Sequence, residues 1–155
     1  MKDLYKNTAK TIILAPSKAI VMIIAIDFDG TIVQHKYPEI GSEIPFATAT
    51  IRRLIAEQHQ VILWTVRRGE LLQEAVDWCK ERGIEFYAVN KSYPEEDADS
   101  AYAKVNADIF IDDRNLGGLP DWGNIYRMIK ENKTWRDIYS DTEERQPKKK
   151  KRWLW

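Results

Sequence analysis

Four short runs rich in Ile, Val and Ala end on polar residues, and segments with helical periodicity lie between them. The runs span residues 19–26, 60–65, 84–90 and 107–111. Between the first two, Ala47, Ile51, Leu54 and Ile55 recur at the spacing of one helical face. Leu71, Ala75, Trp78 and Cys79 repeat that spacing before the third run, and Gly83 suits a helix stop. Pro94, Glu95 and Glu96 read as a first helical turn, with Ala98, Ala101, Tyr102 and Val105 on its inner face. Pro120 opens a last helix with Trp122, Ile125, Tyr126 and Ile129 inward. Strands and helices that alternate at this length predict an α/β fold. A parallel sheet of at least four strands is expected at its centre, with helices on both faces.

A chain of 155 residues fits one domain, and 44% apolar content is enough for one core. Lys and Arg balance Asp and Glu at 24 each, so net charge points to no polyanionic partner. The single cysteine, Cys79, forms no internal disulfide and reads as a helix-face core residue, which favours a reducing compartment. No apolar run reaches the roughly 18–20 residues of a spanning helix. The run at 11–15 is short, and Pro16 and Lys18 follow it, which argues against a secretory leader. A cytoplasmic protein is expected. Residues 1–18 read as a partly ordered extension, 19–140 as the catalytic domain and 141–155 as a mobile basic tail. The tail ends Lys148-Lys149-Lys150-Lys151-Arg152-Trp153-Leu154-Trp155, a pairing suited to an anionic membrane surface or to nucleic acid. Its simplest role is to solubilise. Residues 131–140 fit either a short helix or an edge element.

In a parallel sheet every strand's C-terminal end lies on one rim, where such folds bind ligands. The first run ends in Asp27 and Asp29, the second in Thr65, the third in Asn90 and Lys91, the fourth in Asp112 and Asp113. Four carboxylates at one rim repel unless a cation joins them, and oxygen ligands suit Mg²⁺. Asp27, Asp29, Asp112 and Asp113 are therefore the candidate metal ligands. A phosphoryl group accounts for the rest. Mg²⁺, Lys91 and the Thr65 hydroxyl neutralise its oxygens, and a carboxylate attacks phosphorus.

Asp27-Phe28-Asp29-Gly30-Thr31 after an apolar strand resembles the first motif of haloacid dehalogenase superfamily phosphatases. Thr65 after Val61-Ile62-Leu63-Trp64 matches their second, and Asp112-Asp113 in Phe110-Ile111-Asp112-Asp113-Arg114 their fourth. The resemblance covers about residues 20–131. It implies a three-layer Rossmann-like domain and an aspartyl-phosphate intermediate on Asp27. Asp29 would be the acid and then the base. Gly30, Thr31, Thr65 and Lys91 would bind phosphate. Lys91 is preferred over Lys104 as the third-motif lysine, because most of a strand would separate Lys104 from Asp112. Insertions that form caps in this superfamily have no room in residues 32–44 or 92–106. The expected site is open to a small or macromolecular phosphorylated substrate, or is covered by a second subunit of a homo-oligomer.

Arg67 and Arg114 are candidate substrate contacts, and His35 is expected to be exposed. Trp64, Trp78 and Trp122 read as packing groups. A nucleotidase or phosphomutase of the same superfamily fits the same motifs. A non-catalytic phospho-ligand module is the remaining alternative. The strand order argues against a receiver domain, whose phosphorylated Asp ends the third strand.

Overall fold

The computed structural model describes residues 20–97, 104–134 and 136–137. Its elements run β1 (Ile23–Ile26), α1 (Ala47–Ala56), β2 (Gln60–Leu63), α2 (Gly69–Lys80), β3 (Ala88–Val89), β4 (Ile109–Ile111) and α3 (Trp122–Glu131). The strands form one parallel sheet in the order β3-β2-β1-β4. This is the expected α/β fold, and no cap domain occurs among the described residues.

Strand alternation decides where the core sits. Ile24 and Ile26, in register with Val61 and Leu63, share one buried cluster with residues of all three helices, including Ile51, Leu54, Ala75, Cys79, Ile125 and Ile129. α1, α2 and α3 therefore pack on the same face of the sheet. Ala25 and Ile62 point the other way and are also buried. The helix expected over residues 94–105, which would cover that side, is not formed where the residues are described. Residues 94–95 make a turn, 96–97 and 104–105 are not helical, and the Glu96 carboxylate accepts from the Ser92 N–H. Residues 98–103 lie outside the described residues. Val105 at its end is buried. The extension 1–18 and the tail 141–155 also lie outside them. Of the segment 131–140, residues 131–134 and 136–137 are described: Glu131 ends α3, and residues 136–137 are helical rather than part of an edge strand. No helix among the described residues is long and apolar enough to cross a membrane.

The strands are shorter than the sequence predicts. Ile20 and Val21 are exposed, and the ladder starts only at Ile23, whose N–H donates to the Asp108 carboxylate at 2.8 Å. Ile84 cannot join β3, because its N–H caps α2 by donating to the Cys79 carbonyl at 3.1 Å. Pro120 precedes the last helix rather than opening it. Asp121 is the N-cap and accepts from the Asn124 N–H at 2.9 Å.

Candidate active site

Backbone ladders extend one step past the strands and fix the rim. Asp27 N–H donates to the Ile111 carbonyl at 3.0 Å, Trp64 N–H to Ile26 at 2.9 Å and Asn90 N–H to Leu63 at 2.8 Å. These bonds hold Asp27, Trp64 with Thr65, Asn90 and Asp112 at one edge. Asn90 adopts φ 52°, and its side-chain carbonyl accepts from the Thr65 N–H at 2.8 Å. It thus sets the height of Thr65. The Thr65 hydroxyl in turn accepts from the Arg67 N–H at 3.3 Å.

Asp27, Asp112 and Asp113 each bring a carboxylate oxygen within 4.8 Å of the others. Burial pushes the Asp27 carboxyl up from 3.8 to about 6, with the charges of Asp112, Asp113 and Asp29 adding to the rise. Asp113 leaves Oδ1 buried with no hydrogen-bond partner. An orphaned buried carboxylate oxygen beside two more carboxylates fits a hard cation. The trio could hold such an ion.

Thr31 and Gly30 build this arrangement from behind. Thr31 is fully buried. Its hydroxyl accepts from the Asp113 N–H at 3.1 Å, and its carbonyl accepts from the Trp122 indole N–H at 3.1 Å. Gly30 has φ 93°, and a Cβ there would overlap the Asp113 carboxylate. Gly30→Ala is expected to destabilise the protein by about 1–3 kcal/mol through strain. It should also displace Asp113. Denaturation midpoint and calorimetric Mg²⁺ titration of the variant check both effects.

Asp29 behaves differently from the other three carboxylates. Its oxygens face Arg67, whose Nε–H and Nη2–H donate to Oδ2 and Oδ1 at 2.6 and 2.7 Å. The guanidinium is completely buried. It also donates to the backbone carbonyls of Pro38 and Glu39 at 2.9 and 3.0 Å. One side chain therefore orients Asp29 and ties down the loop of residues 34–43. That loop is closed at its base by the Gln34 N–H donating to Ser42 at 2.8 Å and by a Val33–Glu43 bridge.

Above this layer lies an open cleft of about 410 Å³. Asp27, Asp29, Thr65 and Asp112 line its chemical end, and His35, Tyr37, Trp64, Val66, Arg68 and Arg114 line the remainder.

No protein-family model and no curated protein matches the chain. A solved structure of a conserved protein coded by a locus of Bacteroides thetaiotaomicron is 62% identical, with a TM-score of 0.74. The match covers 77% of this chain and 98% of that one. The chain belongs to the family of that conserved protein.

In this family member, the rim brings together Asp27, Thr65, Asp112 and Asp113 as their strand-end positions predict, and Arg114 reaches the cleft. Other expectations are redirected. Arg67 is not a solvent-facing substrate contact but a buried partner of Asp29. Asp29 directs its side chain to that arginine rather than to the carboxylate trio. Gly30 and Thr31 shape Asp113 and do not line the cleft. Neither lysine lines it either. β4 begins only at Ile109, so the full strand that was to separate Lys104 from Asp112 is absent. The Lys104 ammonium sits 4.4 Å from the ring centroid of Phe110, two residues before Asp112. Sequence reasoning missed Tyr37 and took Trp64 for a packing group only; Arg68 also lines the wall. Trp64 directly follows β2, and that position was the available signal.

Proposed function

We propose that the protein is a magnesium-dependent phosphate monoester hydrolase of the cap-less haloacid dehalogenase type. The observation that carries this reading is the carboxylate trio with its buried, unpartnered Asp113 oxygen. Asp27, Asp112 and Asp113 would hold the cation, which when bound neutralises charge on the phosphoryl oxygens. Asp27 attacks phosphorus, the bond to the leaving oxygen breaks, and Asp29 gives that oxygen a proton. Water then attacks the aspartyl-phosphate, Asp29 takes its proton, and the bond to Asp27 breaks to release inorganic phosphate. The Thr65 hydroxyl, on a residue whose backbone N–H is held by Asn90, would bind the phosphoryl group. Arg67 orients Asp29 for this role and is itself anchored by the Pro38 and Glu39 carbonyls.

Chelation should abolish hydrolysis of phosphate monoesters, and added Mg²⁺ should restore it. Full activity in excess chelator overturns the reading. Without cation, Asp27 binds its proton more tightly folded than unfolded, so stability falls as pH rises from about 4 to about 6. Asp27→Asn should flatten that decline, and Mg²⁺ should reverse it in the wild type. Thermal unfolding across this range, with and without Mg²⁺, measures both.

One observation favours a second reading, a phospho-accepting module that turns over slowly. Both Asp29 oxygens are engaged by Arg67, which withholds the proton donor. Wild-type protein that accumulates a stable phosphoryl adduct without releasing phosphate would establish the module instead.

A further inference from the structure

The chemistry above leaves part of the cleft wall without a role, and that part has its own character. Trp64 is half-buried and braced. Its ring meets Phe110 edge-on with centroids 5.3 Å apart, and the Lys104 ammonium lies 4.4 Å from the centroid of that phenyl ring. An indole held in this way offers a fixed flat surface. Tyr37 is 50% exposed and stands in the same cleft, its ring 5.3 Å from the Arg67 guanidinium carbon that anchors its loop. Arg68 and Arg114 are exposed and form no ion pair among the described residues. Each presents a planar fork of donors that matches phosphate oxygens. A single transferring phosphoryl group is already met by the cation site and Thr65, so two further guanidinia without an ion pair among the described residues match a second anionic group.

We infer that the substrate is a nucleoside carrying a second phosphate, with its base on Trp64 and Tyr37 and that phosphate on Arg68 and Arg114. The inference rests on the hydrolase reading and specifies its leaving group. A cleft of about 410 Å³ lies within the range that takes ligands of this size. A simple sugar phosphate would leave both rings and both arginines without partners.

The full-length protein with Mg²⁺ is assayed on adenosine 3′,5′-bisphosphate, adenosine 5′-monophosphate and ribose 5-phosphate. The monophosphate is expected to exceed ribose 5-phosphate in kcat/KM by roughly tenfold or more through base stacking. The bisphosphate is expected to exceed the monophosphate by about tenfold through the second phosphate. Trp64→Leu should collapse the first ratio and Arg68→Ala the second, while Trp64→Phe should keep most of the first. Ratios are read within each variant, so a partly unfolded preparation does not change them. Hydrolysis of all three compounds at equal kcat/KM, or ratios indifferent to both substitutions, overturns the inference and leaves the hydrolase reading intact. If nothing is hydrolysed, the hydrolase reading fails, and calorimetric titration of Asp27→Asn decides the inference alone. Binding of the bisphosphate at least tenfold tighter than ribose 5-phosphate supports it, and equal or undetectable binding overturns it.

Discussion

Arg67→Ala should cost about 3–5 kcal/mol of stability, the range for removing one partner of a buried ion pair. The substitution strands Asp29, which is only 4% exposed, without its counter-charge. It also frees the Pro38 and Glu39 carbonyls from their donors. Arg67→Lys should recover only part of the loss, because an ammonium cannot reach four acceptors with the geometry of a fork. Pairing Arg67→Met with Asp29→Asn should be less damaging than Arg67→Met alone, since no charge is then left buried. Denaturant midpoints at fixed pH measure all three. A loss below about 1 kcal/mol for Arg67→Ala would mean that water solvates Asp29 freely, against its burial.

Asp27→Asn should lower turnover by roughly a thousandfold or more, because an amide is a poor nucleophile and residual rates come from binding alone. Asp29→Asn should differ in kind. It retains the attacking carboxylate and removes the group that activates water. With p-nitrophenyl phosphate, whose leaving group needs no proton, a stoichiometric burst should precede a slow steady state. Mass spectrometry of the quenched variant should place one phosphoryl group on the peptide containing Asp27. The side-chain NH₂ that this substitution introduces would oppose the Arg67 donors, so the variant is also less stable and its burst is scaled to the folded fraction. Equal loss in both variants on every leaving group, with no adduct, points instead to direct attack by water.

The rim was legible because strand ends are set by short apolar runs and because a parallel sheet collects those ends on one edge. Asp27, Thr65, Asp112 and Asp113 follow from that rule alone. The direction of each side chain does not. Arg67 lies two residues beyond Thr65, where a charged side chain ordinarily meets solvent. Its inward turn depends on carbonyls of a loop nearly thirty residues earlier in the chain. Thr31 carries a hydroxyl four residues past Asp27, yet the Asp113 N–H claims it from a strand end 82 residues away. The length of β3 was equally hidden, because a helix cap at Ile84 takes residues that apolar content alone assigns to the sheet. Periodicity reports which face is apolar. It carries no record of long-range polar pairing.

The way Arg67 grips its loop bears on how this family can diversify. It binds the main chain at positions 38 and 39, not their side chains. The base of the loop is likewise held mostly by backbone bonds. Gly41 is sterically fixed there, since a Cβ would collide with the Gln34 carbonyl, and Ile40 packs against the core. His35, Lys36 and Tyr37 are exposed, and two of them face the cleft. Mutational drift can therefore rewrite these three letters while the scaffold beneath stays anchored. A combinatorial library restricted to positions 35–37 would sample new leaving-group preferences without unfolding the domain.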